Sequence, residues 1–326
     1  MKKVNGIKNV VIKVIAEGEG VVNWNGVMPL RNILDDNVYE NHTLPKLKGF
    51  SPYTGKVTEN GYAWRKYTTD IDFKENPMYI SQNCIRHHMF KDHAYDLGFA
   101  DVQKHMTAII ASLTGLLRGY VVAKPGFKRT SPLLVEDFVD QYGNGTFEQM
   151  GQCGSKQRVA NKDGKLVSSS IFSKTTFGKT RYLAYISINI EELQFICLDQ
   201  KYDRAATVVD LNGGEEISKA IVDFLKSLDD TKNPQAVYHP NYVRKGTILH
   251  QGEMGILLNQ DAISILVEET IDIVRNLFIK QGKGYMQVEE LKIDYNESNR
   301  PLRIKKDENS INEAPTCDYA IYYDAE

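Results

Sequence analysis

Hydroxyl, amide, guanidinium and imidazole groups are concentrated in one short stretch of the chain, residues 77–90, at the start of a predicted helix. Its polar side chains are Ser81, Gln82, Asn83, Arg86, His87 and His88. A helix N-terminus presents unpaired backbone N–H groups and the positive end of the helix dipole, so donors there add to a site that favours anions. The stretch is a candidate site for a phosphate chain. An ordinary capped amphipathic helix would show the same pattern.

The elements that must position this stretch alternate between strands and helices. The hydrophobic periodicity predicts strands over residues 9–16, 116–123, 182–199 and 287–295, and helices over about 81–97, 102–112, 214–228 and 259–281. The run Glu-Gly-Glu-Gly at 17–20 is predicted to end the first strand. The core order of β, α, β, β, α, β indicates an α+β fold with a ferredoxin-like or RRM-type sheet.

Composition excludes several classes of function. The chain has 326 residues, is 42% hydrophobic and carries a net charge of -2, so it can bury a large core and has no overall basic field. The four cysteines form no C-x-x-C pair, and no segment reaches the length of a membrane span. The N-terminus lacks the apolar run of a signal peptide. We therefore expect a reduced, cytoplasmic protein with no membrane role and no cofactor.

Three regions depart from this core pattern, within what we interpret as one elaborated domain over residues 1–326. Residues 27–76 are irregular and rich in Gly, Pro, Asn and Tyr, which predicts a functional insertion, and 200–256 is a second insertion region. Residues 143–182 predict a basic, thumb-like protrusion. Within it, positions 149–181 hold seven Lys and Arg residues against Asp163 alone, a local charge of +6. Such an excess favours a nucleic-acid contact over a merely solvated loop.

Eight blocks of sequence, taken in order, resemble one known family. The blocks are VVNWNG (21–26), NHTLPKLKG (41–49), YISQNCIRHH (79–88), LTGLLRGYVV (113–122), KRTSPLLVEDF (128–138), FSKTTFG (172–178), DRAA (203–206) and GKGYM (282–286). They are similar to the repeating backbone subunit, a Cas7 protein of the RAMP superfamily, of the CRISPR type I-F variant Cascade. This minimal complex lacks large and small subunits. The resemblance covers almost the whole chain.

The resemblance implies a hand-like subunit with an RRM-type palm and a projecting thumb. Such subunits polymerise along the spacer of a CRISPR RNA, and each thumb displaces one base so that the others stay free to pair with target DNA. The subunit itself makes and breaks no bond. The implied partners are the CRISPR RNA, target DNA by way of the guide, neighbouring copies, end-capping Cascade subunits and a recruited helicase-nuclease.

The residue chemistry agrees with this role, because a protein that coats a guide of arbitrary sequence must contact phosphate and ribose and leave base edges free. Our RNA-binding candidates are Trp24, Asn25, Ser81, Asn83, Arg86, His87, His88, Lys128, Arg129, Lys156, Arg158, Lys162, Lys165, Lys174 and Lys283. Trp24 could equally be a core aromatic residue, and Arg118 is interpreted as a structural ion-pair residue.

Three other functions fit parts of the pattern. An endoribonuclease of the RAMP type could use His87, His88 or His93 as a general base. A metal site could use His88, Asp92 and His93, but the sequence has no defined quartet of ligands, so we assign neither catalytic nor metal-binding residues. A CRISPR-independent RNA-binding scaffold would share the fold and the charge pattern.

Overall fold

A computed structural model describes residues 4–31, 39–57, 63–92, 105–122, 126–152, 158–160, 166–168, 171–200, 207, 213–246 and 252–326. The strands are β1 (Asn9–Val21), β2 (Trp24–Arg31), β3 (Tyr39–Pro45), β4 (Tyr53–Val57), β5 (Ala63–Arg65), β6 (Tyr79–Ile80), β7 (Tyr120–Val122), β8 (Phe127–Arg129), β9 (Leu133–Val135), β10 (Phe138–Asp140), β11 (Gly145–Gln152), β12 (Arg158–Ala160), β13 (Leu166–Ser168), β14 (Ile171–Phe177), β15 (Lys179–Asn189), β16 (Phe195–Cys197), β17 (Ala236–Arg244), β18 (Glu253–Leu258), β19 (Phe278–Gln281), β20 (Lys283–Asn296) and β21 (Tyr323–Ala325). The helices are α1 (Gln82–Phe90), α2 (Met106–Ile110), α3 (Ile190–Gln194), α4 (Gly213–Leu228) and α5 (Gln260–Arg275).

A seven-stranded antiparallel sheet forms the centre of the molecule. Its order is β19-β20-β1-β15-β10-β6, and β9 also pairs with β15. Alternate residues of β1, among them Ile12 and Val14, are buried in the main core, which α1 and α5 cover from the same side of the sheet. The fold is thus a mixed one of helices and mostly antiparallel strands, consistent with the expected α+β class.

The central strand is longer than predicted. Glu17 to Gly20 do not end β1, because the strand continues to Val21 and pairs along its whole length with β20. The two glycines allow this close pairing. A Cβ on Gly18 would lie 2.1 Å from the carbonyl oxygen of Tyr285, and one on Gly20 would lie 2.1 Å from that of Lys283. The glycines therefore extend the sheet by admitting the neighbouring backbone.

We expect Gly20→Ala to lower the free energy of unfolding by about 2–4 kcal/mol, because Gly20 combines a φ of +75° with a main-chain contact that a methyl group cannot share. Urea unfolding of the full chain measures the loss. Gly26→Ala is the matched control, since Gly26 has a φ of +87° with open space around it. Its cost should be limited to about 1–2 kcal/mol. Equal losses in the two variants would show that contact with β20 does not constrain Gly20.

Two other predicted elements are confirmed only in part. The helix predicted over 259–281 is α5, which ends at Arg275. The last part of the predicted helix forms β19, where Ile279 is buried between exposed neighbours, as in a strand with alternating burial. The strand predicted over 116–123 begins as a π-helical turn (Thr114–Arg118), and only Tyr120–Val122 is extended. That short strand pairs with β8 and is not part of the main sheet. Strands β9 and β10 pair with β15 in the main sheet instead.

Several other predictions are confirmed. The helix over 214–228 is α4, and the closing strand over 287–295 is the larger part of β20. The segment 182–199 contains most of β15, then α3 and β16. Helix α1 ends at Phe90, and residues 93–97 of its predicted extent lie outside the described part. The same holds for residues 102–104 of the helix predicted over 102–112, where α2 is found.

The three regions outside the core pattern contain regular structure. In 27–76, most of β2 and β3 form one hairpin, and β4 and β5 form another. Leu30 of β2 and Leu44 of β3 belong to a small second core, together with Phe73. In 143–182, β11 pairs with β14, and β12 pairs with β13 between them. The 200–256 region includes α4 and β17, and β17 belongs to a sheet of order β16-β18-β17-β21.

The segment 297–326 crosses the face of the main sheet that α1 and α5 leave uncovered. Glu308 pairs with Lys13 of β1, and Lys305 lies over the ring of Tyr185 of β15. The segment is held at its start by Arg303, which donates to the fully buried carboxylate of Asp294. Among the described helices, none is long and apolar enough to cross a membrane.

Candidate nucleic-acid interface

The start of α1 already holds an anion from the protein itself. The Gln82 N–H donates to the Asp137 carboxylate at 3.0 Å, and the Ser81 N–H donates to the Asn23 side chain at 3.0 Å. Burial raises the pKa of Asp137, but hydrogen bonds from Lys48 and from the Gln82 N–H outweigh it and lower that pKa overall. One of the free N–H groups expected for a phosphate is thus occupied by a carboxylate. The Asn83 side chain stays exposed beside it.

Arg86 ties three parts of the fold together. Its guanidinium donates to the carbonyl of Arg118 at 3.3 Å, to the Ser131 hydroxyl at 2.7 Å and to the carbonyl of Leu133 at 3.0 Å. These bonds connect α1 to the π-helical turn and to β9. Desolvation, and then repulsion from Arg118, lower the pKa of Arg86. Arg86 therefore has a structural role whether or not it also faces RNA.

Arg129 is also bonded to main-chain carbonyls. It donates to the carbonyl of Phe195 at 3.1 Å and to that of Glu192 at 2.8 Å, which joins β8 to α3 and β16. Its Nε is buried and makes no hydrogen bond. Burial lowers the pKa of this guanidinium, although neighbouring groups such as Glu192 oppose that effect. Lys128, the residue before it, is half-buried.

The two adjacent histidines of α1 have different environments. Their rings meet edge to face with centroids 5.1 Å apart; His87 is exposed, whereas the Nδ1 of His88 is buried without a partner. Desolvation, then the charges of His87 and Lys91, lower the pKa of His88. His88 is therefore neutral at pH 7 and a weak phosphate ligand. In the described ranges no three His, Cys, Asp or Glu side chains group as metal ligands; His93 lies outside those ranges.

Trp24 packs as a core aromatic residue. Its ring meets Phe177 edge to face at 6.0 Å, and it lies against the small core beneath β2 and β3. Its neighbour Asn25 is exposed. The geometry therefore favours the structural interpretation of Trp24, with Asn25 as the residue of this pair that can contact a ligand.

A surface that the sequence analysis did not select lies on the 27–76 region. Arg65 lies over the rings of Tyr53, at 4.7 Å, and Tyr39, at 5.9 Å, and both tyrosines are about half exposed. Lys66 lies over Phe50 at 5.1 Å. We call these five residues the aromatic-cation surface. Alternating aromatic and cationic groups are typical of surfaces that bind single strands. The run Trp-Arg-Lys-Tyr at 64–67 was the sequence signal for it.

One remaining candidate, Lys283, lies at one end of the main sheet. Lys283 is exposed at the β19–β20 turn, near the exposed Tyr285 and Lys280. The β11–β14 hairpin is joined to the sheet at this same end. Strand β14 ends at Phe177, and β15 begins at Lys179, which lies opposite Glu19 of β1. Arg158 and Lys174 lie in β12 and β14. Lys156, Lys162 and Lys165 lie outside the described residues, and the roles of all five basic residues of this hairpin stay predictions.

Comparison with known proteins gives one strong match. The family model described as "Type I-Fv CRISPR-associated protein Cas7fv-like" matches residues 6–326. No curated protein matches the chain. Among solved structures, a chain described as "CRISPR RNA-guided surveillance complex" is similar over 74% of this chain and 71% of that chain, with 11% identity and a TM-score of 0.26. A superposition that weak carries no argument about the site.

Proposed function

The chain belongs to the Cas7fv-like family of type I-Fv CRISPR-associated proteins, and on that premise we propose that it is the non-catalytic backbone subunit of a minimal Cascade. In this function, copies of the chain polymerise along the spacer of a CRISPR RNA in the cytoplasm and present its bases for pairing with target DNA. End-capping subunits close the assembly, and a helicase-nuclease recruited by it destroys the DNA.

The observation that carries this proposal is the family match over nearly the whole chain. The order of elements in the main sheet supports an RRM-type palm, because β1, α1, β10, β15, α5 and β20 follow one another as in a ferredoxin-like unit. Neighbouring positions β20, β1, β15 and β10 then form the palm sheet. The β11–β14 hairpin is the proposed thumb.

The segment 297–326 bears on where the guide lies. RRM modules stack bases on their open sheet face, but here Lys305 and Glu308 already cover Tyr185 and Lys13 on that face. A guide whose bases must stay free for pairing does not need that platform. We therefore place the guide along the basic hairpin, the β19–β20 turn and the exposed Asn83 and His87 of α1, with the aromatic-cation surface beside them.

The test is to purify the chain, with its capping partners, from cells that do or do not carry a matching CRISPR array, and to sequence any bound RNA. We expect spacer-length protected RNA in a large assembly only when the array is present. RNA-free protein in the presence of both array and partners would contradict the proposal. Equal loading of unrelated RNA without the array would favour the independent scaffold, and discrete cleavage by the protein alone would favour the endoribonuclease.

A further inference from the structure

One open pocket of about 480 Å³ is lined by cationic side chains and by no carboxylate. It lies between α1, the π-helical turn and the β7–β8 hairpin. Its charged residues are Arg86, Arg118, Lys128 and Arg129. Within the described ranges of the chain, no carboxylate forms an ion pair with Arg86, Arg118 or Arg129. The positive charges of Arg86 and Arg118 repel each other, and an anion bound in the pocket would relieve that repulsion.

The fold fixes this charge in place. The guanidinium groups of Arg86 and Arg129 are held by four main-chain carbonyl oxygens and, for Arg86, by the Ser131 hydroxyl, all of which are neutral acceptors. The buried Nε of Arg129 has no acceptor among the residues that the structure describes. Burial of a guanidinium group is costly: desolvation lowers the pKa of both arginines, although Tyr120 and Glu192 oppose this effect at Arg129. Arginines that stay charged despite burial are typical of sites that receive phosphate.

Arg118 is the cation of the pocket that is free to reach a ligand. Its carbonyl accepts from Arg86, but its side chain makes no hydrogen bond or ion pair with any residue that the structure describes. The position is fixed by Gly119, whose φ is +74° and where a Cβ would lie 2.7 Å from the carbonyl oxygen of Arg129. This close approach holds the π-helical turn and β8 together at the pocket wall. The exposed Thr130 adds a hydroxyl group at the rim.

We propose that this pocket binds one phosphate of the guide RNA backbone, with Arg118 as the side chain that contacts it. The inference rests on the proposed guide-binding function and reverses the sequence-based interpretation of Arg118 as a structural residue. A planar guanidinium suits the paired oxygens of a phosphodiester, and no base edge needs to enter the pocket.

The test compares Arg118→Gln with the unchanged full chain in binding spacer-length single-stranded RNA between 50 and 300 mM KCl. Loss of one phosphate contact should make the slope of log Kobs against log salt shallower by about 0.7, and should weaken binding about fourfold near 0.15 M salt. Arg118→Lys keeps the charge and should keep the slope. Arg275→Gln is the matched control, because Arg275 is exposed on α5, away from the pocket residues in the sequence, and pairs with Asp272.

The possible outcomes separate the two proposals. Unchanged slope in Arg118→Gln, with steep salt dependence in the wild type, would overturn the pocket assignment alone. A wild-type chain that binds no RNA, with or without its capping partners, would overturn the proposed function and this inference with it. A shallower slope in Arg275→Gln as large as that in Arg118→Gln would show a general charge effect and would also overturn the assignment.

Discussion

Replacing Lys156, Arg158, Lys162 and Lys165 together with glutamine will remove most guide loading by the basic hairpin. If each residue neutralises one phosphate, the salt dependence of RNA binding becomes shallower by about 3 units of slope, and affinity near 0.15 M salt falls by roughly two orders of magnitude. The reason is counterion release, since fewer ions leave the RNA when fewer phosphates are neutralised. RNA binding measured at several salt concentrations gives both quantities.

A matched control removes the same number of charges elsewhere. Lys219 and Lys226 on α4, Arg275 on α5 and Lys306 near the C-terminal turn are all exposed. Their joint replacement by glutamine changes the net charge equally, but we expect it to leave the slope and the recovered RNA unchanged. If the hairpin variant loads guide as well as this control, the thumb assignment is wrong.

Arg303→Met will lower the free energy of unfolding by about 3–5 kcal/mol. Arg303 donates through Nε and Nη2 to Asp294, whose carboxylate is fully buried, at 2.7 to 3.1 Å. Removing only the cation leaves a buried charge with no counterion, which costs far more than the intact pair contributes. Urea unfolding of the chain measures the change.

Two further variants identify the cause of that loss. Combining Arg303→Met with Asp294→Leu removes both charges and should recover much of the stability, because the desolvation cost disappears with the carboxylate. Arg275→Met breaks an exposed pair with Asp272 and should change stability by no more than about 0.5 kcal/mol. A double variant as unstable as Arg303→Met would indicate that the hydrogen bonds of this pair to Tyr295 and Asn312, rather than its charge balance, hold the segment.

Sequence reasoning located the elements whose pattern is local. The β-branched residues of β1, the alternation in β20 and the amphipathic repeats of α4 and α5 predicted core elements, and the eight sequence blocks predicted the family. It failed where tertiary contacts decide. The apolar run at 116–122 has the composition of a strand. However, Gly115 and Gly119 pack against main chain, and the first part of the run belongs to the π-helical turn that ends at Arg118. The two glycines of β1 look like a turn signal in the sequence, but in the structure they allow the backbone of β20 to approach closely.

The candidate site shows the same limit. The basic character of Arg86 and Arg129 is visible in the sequence, but their partners are carbonyl oxygens of residues 32 to 66 positions away. Every residue has a main-chain carbonyl oxygen, so the sequence does not show which carbonyls accept from an arginine. An arginine that stabilises the fold therefore cannot be distinguished, from sequence, from one that binds RNA. The ion pair expected of Arg118 has no acidic partner among the residues that the structure describes, and the position of acids in space is not a property of the local sequence.

The pairing of β1 with β20 has a consequence for synthesis of the chain. Residues 283–296 complete the ladder on one side of a strand that spans residues 9–21. At about 5–20 residues per second, roughly 15–55 s separate the two strands on the ribosome. During that interval the nascent chain presents an apolar strand with an open edge, and such edges pair readily with other chains. The neighbouring nascent copies on a polysome are the nearest such chains, so the yield of native subunit should depend on translation rate and on chaperones that shield β1.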